Sequence, residues 1–89
     1  MNKSSDMAAA LLREAADLVA GPRADDYGDF LKNSERAAAL ANITPLQAAD
    51  AMIGYKNARL IHTPDHHDSI VDKIAYTALR EVVRLRTLP

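Results

Sequence analysis

The 89-residue chain contains no cysteine, so no disulfide can compensate for a small core and no thiol chemistry is open to it. It has no tryptophan, one phenylalanine and three tyrosines, and its 48% apolar content leans on alanine. Large aromatic wedges are therefore scarce, which implies thin helices in close approach around a small core. Acidic and basic residues nearly cancel, 12 against 11, for a formal charge of −1. Such a balance lacks the basic footprint of a protein whose main task is to neutralise nucleic-acid phosphates, so a nucleic-acid partner is not expected. No apolar run approaches the roughly 18 residues of a membrane span, and Met1 to Asp6 lack the form of a signal peptide. A cytosolic protein without a membrane partner is the expectation. Also missing are a phosphate-cradling glycine loop and a nucleophile elbow, which removes P-loop and serine-hydrolase chemistry. What remains is one globular domain that buries only about 60% of its unfolded surface. Partner subunits are the expected remedy, and a homo-oligomer is anticipated.

Proline and glycine punctuate the chain into four segments, each with apolar residues at three- and four-residue spacing and none with period-two alternation. Ser5 is read as the cap of a first helix over residues 6–20, ended by Gly21 in a left-handed cap and by Pro22. Its apolar face is Ala8, Leu11, Leu12, Ala15, Leu18 and Val19. Residues 21–29 are read as a loop, with Asp29 capping a second helix from Phe30 to Ala41. Phe30, Leu31, Ala37, Ala38 and Ala41 form its inner face, and Asn42 stops it. Thr44-Pro45-Leu46-Gln47 has a hydroxyl at the cap, proline at the first helical position and glutamine at the third, the reciprocal capping-box pattern. The third helix runs from there to about Ile61, and its central Gly54 implies close approach by a neighbour. After the connection at 62–67, a fourth helix spans Asp68 to Arg86 with Val71, Ala75, Ala78, Val82 and Leu85 as its stripe. The predicted fold is an all-α, four-helix compact domain over residues 6–86 with short connections, between a flexible start at 1–5 and a tail at 87–89.

Some charged residues are not explained by the fold alone. Met52, Lys56 and Leu60 are successive four-residue neighbours, so Lys56 rises from an apolar stripe with Arg59 one turn on. Their stems can cover apolar surface while their heads reach water. Together they can also offer a point charge and a planar fork to phosphate oxygens. Asp68, Asp72 and Tyr76 share one side of helix four. Asp68 suits a helix start, whereas Asp72 lies a full turn inside. Three readings of Asp72 stand: an internal salt bridge with Lys56 or Arg59, a ligand contact, or a divalent-cation ligand. His62, His66 and His67 flank Pro64 in a turn without a metal-site spacing, and are read as surface histidines.

Taken together, Arg23-Ala24-Asp25-Asp26-Tyr27-Gly28, Lys56-x-x-Arg59 and His66-x-Asp68-x-x-x-Asp72 with Tyr76 resemble a family of small phage and prophage proteins. Members are often labelled MazG-like nucleotide pyrophosphohydrolases, and the resemblance spans residues 11–84. It implies an oligomeric helical bundle in the cytoplasm of a bacterial host. In the MazG-like enzymes magnesium is held by glutamates on one helix and an acidic pair on the next. Asp68 and Asp72 match that pair, but Lys56 and Arg59 stand where the glutamates belong. The chain also lacks a tryptophan after helix two, has a shorter link before Thr44, and carries Ala75 where glycine usually precedes the tyrosine. Exchanging carboxylates for cations favours direct phosphate binding over magnesium chemistry. The expectation is thus a phage-type nucleotide-binding protein without cofactor or catalytic residues, a sponge for a linear or cyclic nucleotide immune signal. Its ligand-binding residues are Arg23, Tyr27, Lys56, Arg59, Asp68, Asp72 and Tyr76, with Tyr27 on a closing loop and Gly28 allowing its turn. One alternative is a magnesium-dependent MazG-like pyrophosphohydrolase using Asp68 and Asp72. A second is a helical DNA-binding adaptor using Arg80, Arg84 and Arg86.

Overall fold

A computed structural model describes residues 3–21 and 24–88, with the backbone alone described for 24–29. Four helices follow one another: α1 (Lys3–Ala20), α2 (Ala24–Ala41), α3 (Pro45–His62) and α4 (His67–Arg86). The all-α, four-helix reading holds. Its boundaries move in two places. α1 begins at Lys3, so Ser5 lies inside its first turn and does not cap it. α2 begins at Ala24, six residues before the expected start, so Asp29 is interior and the turn assigned to Asp26, Tyr27 and Gly28 is helical. A single helix-interior glycine costs only about 1 kcal/mol, less than the segment gains by docking Phe30, Ser34 and Ala38.

Gly21 has no positive φ, contrary to the expected left-handed cap. Its N–H donates to the Asp17 carbonyl at 2.7 Å, and a Cβ there would lie 2.4 Å from that oxygen. Close approach to the preceding turn is what requires the glycine. The left-handed cap occurs instead at Asn42, with φ 57°. The Ile43 N–H reaches back to the Ala38 carbonyl at 3.0 Å, the six-to-one bond of a Schellman end. α3 opens on the expected capping box: Gln47 N–H donates to Thr44 Oγ1 at 3.1 Å, and Thr44 N–H donates to Gln47 Oε1 at 2.9 Å. α4 is capped by His66, whose Nδ1 accepts from the Ser69 N–H at 3.2 Å and lies 2.7 Å from Ser69 Oγ. That bond lets the Ser69 hydroxyl be fully buried, just as Ser34 is buried by donating to the Phe30 carbonyl at 2.8 Å.

α3 and α4 are antiparallel neighbours, with Asp50 beside Arg80 at one end and Lys56 beside Asp72 at the other. α4 is the central helix, in contact with the other three. Its first half packs Val71 and Ala75 on Ala15 of α1, and its second half packs Val83 with Phe30 of α2 and Ala49 of α3. Tyr76 and Leu79 join the two clusters. The buried stripe therefore turns along α4, taking Val83 inside and leaving Val82, Leu85 and Ala78 exposed, where the predicted stripe had them buried. Ala8, Leu12, Ala37 and Ala41, also expected inside, are exposed as well. Among the described residues, five of the eight buried apolar side chains are alanines, in keeping with close helices around a thin core. The close approach expected at Gly54 is not seen: among the described residues nothing lies within 4 Å of an added Cβ.

Candidate functional site

Lys56 Nζ donates to Asp72 Oδ2 at 3.0 Å, with the two side chains 12% and 13% exposed. α3 presents Lys56 at its inner edge because it follows half-buried Met52 by one turn, and α4 supplies Asp72 one turn before Tyr76. The ammonium lies 5.6 Å from the Tyr76 ring centroid, within cation–π range. Tyr76 in turn meets Phe30 of α2, ring centroids 5.0 Å apart and planes tilted by 47°. A mostly desolvated ion pair is thus held at the junction of three helices, backed by two of the chain's four aromatic rings. One of the three readings for Asp72, the internal salt bridge, is formed with Lys56.

Arg59 lies one turn along α3, exposed, and its guanidinium has no hydrogen-bond or ion-pair partner among the described residues. Asp68 lies one turn from Asp72, exposed in the first turn of α4, where the helix dipole favours a carboxylate. The structure therefore brings Lys56, Asp72 and Tyr76 together and leaves Arg59 and Asp68 on the neighbouring surface. Arg23 and the Tyr27 side chain lie outside the described residues. Tyr27 itself belongs to α2, three residues before Phe30, so a helix carries it and not the closing loop that was expected. Phe30 was read from the sequence as core only; its role as backing for Tyr76 had no local signal beyond its being the only phenylalanine.

Among the described residues this donor set is poor in magnesium ligands. Asp72 is engaged by an ammonium, α3 contributes two cations at this level, and among the described residues no three His, Asp or Glu side chains converge as metal ligands. The histidines serve the fold: besides the His66 cap, His67 Nε2 meets Glu14 Oε1 at 2.8 Å across α4 and α1. The arginines of α4 are similarly occupied. Arg80 Nε donates to Asp50 Oδ1 at 2.8 Å, and Arg84 Nε donates to Glu81 Oε1 at 2.9 Å. These hydrogen bonds hold Asp50 and Glu81 below the usual carboxylate range and raise both arginines. With two of its three arginines matched by acids, the α4 end has little net positive charge for nucleic acid.

A four-helix domain with a mostly buried ion pair at its centre and an exposed arginine beside it defines a class by architecture. The chain belongs to the family described as domain of unknown function DUF6378, which it matches over residues 10–84. It is 35% identical over 82 residues to the "Gene 55 protein" of Mycobacterium phage L5. That alignment covers 84% of this chain and 53% of the relative, so the chain spans about half the length of the phage protein it matches. No solved structure matches it. The protein is phage-related, as the resemblance implied. Among the described residues no helix is long and apolar enough to cross a membrane.

Proposed function

We propose that this phage-related protein binds a nucleotide through Arg59 and Lys56 and releases it intact. The observation that supports this reading is the placing of two cations on α3 beside the aromatic backing of Tyr76, with Arg59 uncommitted. Arg59 meets phosphate oxygens first, because its planar fork is exposed and binding there breaks no existing pair. Lys56 acts second. Asp72 holds its ammonium in place and balances its charge, so Asp72 is a positioning residue that also competes with the ligand for the lysine. Tyr76 supplies a ring beside the site and Asp68 stands on its rim. Arg23 and Tyr27, the other ligand residues read from the sequence, lie outside the described side chains. The phage relationship suggests capture of a linear or cyclic nucleotide signal in bacterial immunity, a sponge that needs affinity and no catalyst.

A MazG-like pyrophosphohydrolase is the second reading, favoured by the four-residue spacing of Asp68 and Asp72 on α4. It requires the Lys56–Asp72 pair to open before Asp72 could join the exposed Asp68 in holding magnesium. Incubation with a panel of linear and cyclic nucleotides, with and without magnesium, followed by chromatography and mass spectrometry, separates the two. Intact nucleotide recovered with the protein supports sequestration. Magnesium-dependent monophosphate and pyrophosphate would establish the enzyme instead.

A further inference from the structure

Between α1 and α3 the outer face of α4 is uncovered. Among the described residues α1 and α3 share no contact, and the space between them is an apolar groove of about 550 Å³. Leu12 and Leu60 form its walls, and Ile70, Ile74 and Ala78 lie along its α4 floor. A second hollow of about 320 Å³ continues it beneath α1, sharing Leu12, Ile74 and Ala78. Toward this space α1 turns an uncharged strip, Ala8, Leu12, Ala16 and Ala20, in which Leu12 is 59% exposed. Leu85, 53% exposed, extends the apolar surface down α4.

We propose that a second copy of this chain occupies the groove, the two α4 helices crossing antiparallel about a two-fold axis at Thr77. The surface area points to a missing partner of this size. A compact monomer of 9.7 kDa should expose roughly 5,100 Å², whereas this chain exposes 6263 Å². The excess, about 1,100 Å², compares with the ~800 Å² that each partner of a stable complex covers. The shape agrees: the radius of gyration is 14.1 Å with extents of 45 × 28 × 25 Å, against roughly 12 Å for a compact chain of this length.

Charge complementarity fixes the register. Lys73 lines the groove four residues before Thr77, without an ion-pair partner among the described residues, and Glu81 lies four residues after it. A two-fold axis at Thr77 sets Lys73 of each copy opposite Glu81 of the other, the self-complementary pattern that an isologous interface requires. Glu81 already accepts from Arg84, yet a carboxylate has lone pairs for a second cation. At the axis the Thr77 hydroxyl donates to the Lys73 carbonyl at 2.7 Å, so its burial against its own copy leaves no polar group unmatched. Alanines 16 and 78 leave room for the approaching helix.

Sedimentation equilibrium of the full chain from low to high micromolar concentration tests the proposal, with circular dichroism on every variant. The expected mass for the parent is twice 9.7 kDa. Leu12→Glu adds a charge at an exposed position, so it should keep the helical signal while raising the dimer dissociation constant by about tenfold or more. Lys73→Glu and Glu81→Lys should each weaken the dimer, and the double exchange should restore it. A parent that stays monomeric at high micromolar concentration overturns the proposal. So does a dimer indifferent to Leu12→Glu, a double exchange that fails to restore pairing, or a monomer whose groove binds an apolar dye in a Leu12-dependent way.

Discussion

Lys56→Met is the substitution that most sharply separates the two duties of the central ion pair. Methionine preserves the apolar stem and removes the ammonium, leaving Asp72 as a carboxylate with 13% of its side chain exposed. Breaking one side of a buried pair costs up to about 3–5 kcal/mol when the remaining charge is left uncompensated. Asp72 makes a further interaction besides the one to Lys56 and keeps some exposure, which places the loss near or below the lower end, about 3 kcal/mol. For a domain of this size each kcal/mol lowers the melting temperature by roughly 4–8 °C, so the variant should melt about 12–24 °C below the parent. That is a large share of the total, since a chain of 89 residues is stable by roughly 4–13 kcal/mol. The loss should persist in high salt, because a pair this enclosed is weakly screened. Urea titration followed by helical circular dichroism gives the free energy directly. A Lys56→Met variant within about 1 kcal/mol of the parent would show that the pair contributes no more than a surface contact, and the reasoning from burial would fail.

Other consequences can be checked in the same assay. Thr44→Ala removes one half of the capping box of α3 and should cost about 1 kcal/mol. Gly54→Ala should stabilise the protein by about 0.5–1 kcal/mol, since the added Cβ meets nothing within 4 Å; a destabilised variant would mean that something does approach this face. Asp50, held low by Arg80, favours the folded state at any pH above the ordinary carboxylate value of 3.8, and that contribution is lost as pH falls through the depressed folded value. Carboxyl-carbon NMR titration should therefore give Asp50 a midpoint below the usual range, moved back toward it by Arg80→Gln.

Local signals in the sequence mark some helix ends and mislead at others: the Ser5 cap and the left-handed Gly21 cap are not formed, since α1 already runs from Lys3 and Gly21 has no positive φ. The Thr44 to Gln47 box and the stop at Asn42 lie within a few residues, and both are formed as read. The start of α2 was misplaced because Gly28 and the nearby aspartates resemble a turn, while the gain that keeps the segment helical comes from distant residues packed around Phe30. The stripe of α4 was misread for a related reason. A single helical periodicity assumes one partner, but the buried apolar residues of this helix pack on α1 in its first half and on α2 and α3 in its second, while α3 also reaches Asp72 in the first half, so its buried side rotates. In the candidate site, Lys56 and Asp72 each stood out as a charge on an apolar face, and their pairing was among the open readings. The clamp between Asp50 and Arg80 joins residues 30 positions apart, and no local pattern announces it.

Calorimetric titration of the parent and of Arg59→Ala with ATP, GTP and cyclic dinucleotides, without magnesium, tests the proposed nucleotide site most directly. Arg59 is exposed and makes no described side-chain pair, so its removal should leave stability unchanged and any loss of binding can be assigned to the ligand contact. A charge-assisted contact worth about 1.5–3 kcal/mol corresponds to a roughly 10- to 150-fold weaker dissociation constant. The account predicts that at least one of these nucleotides binds the parent without magnesium, and that Arg59→Ala weakens it by that factor at an unchanged melting temperature. A parent that binds none of them, or a variant that binds as tightly as the parent, would contradict it.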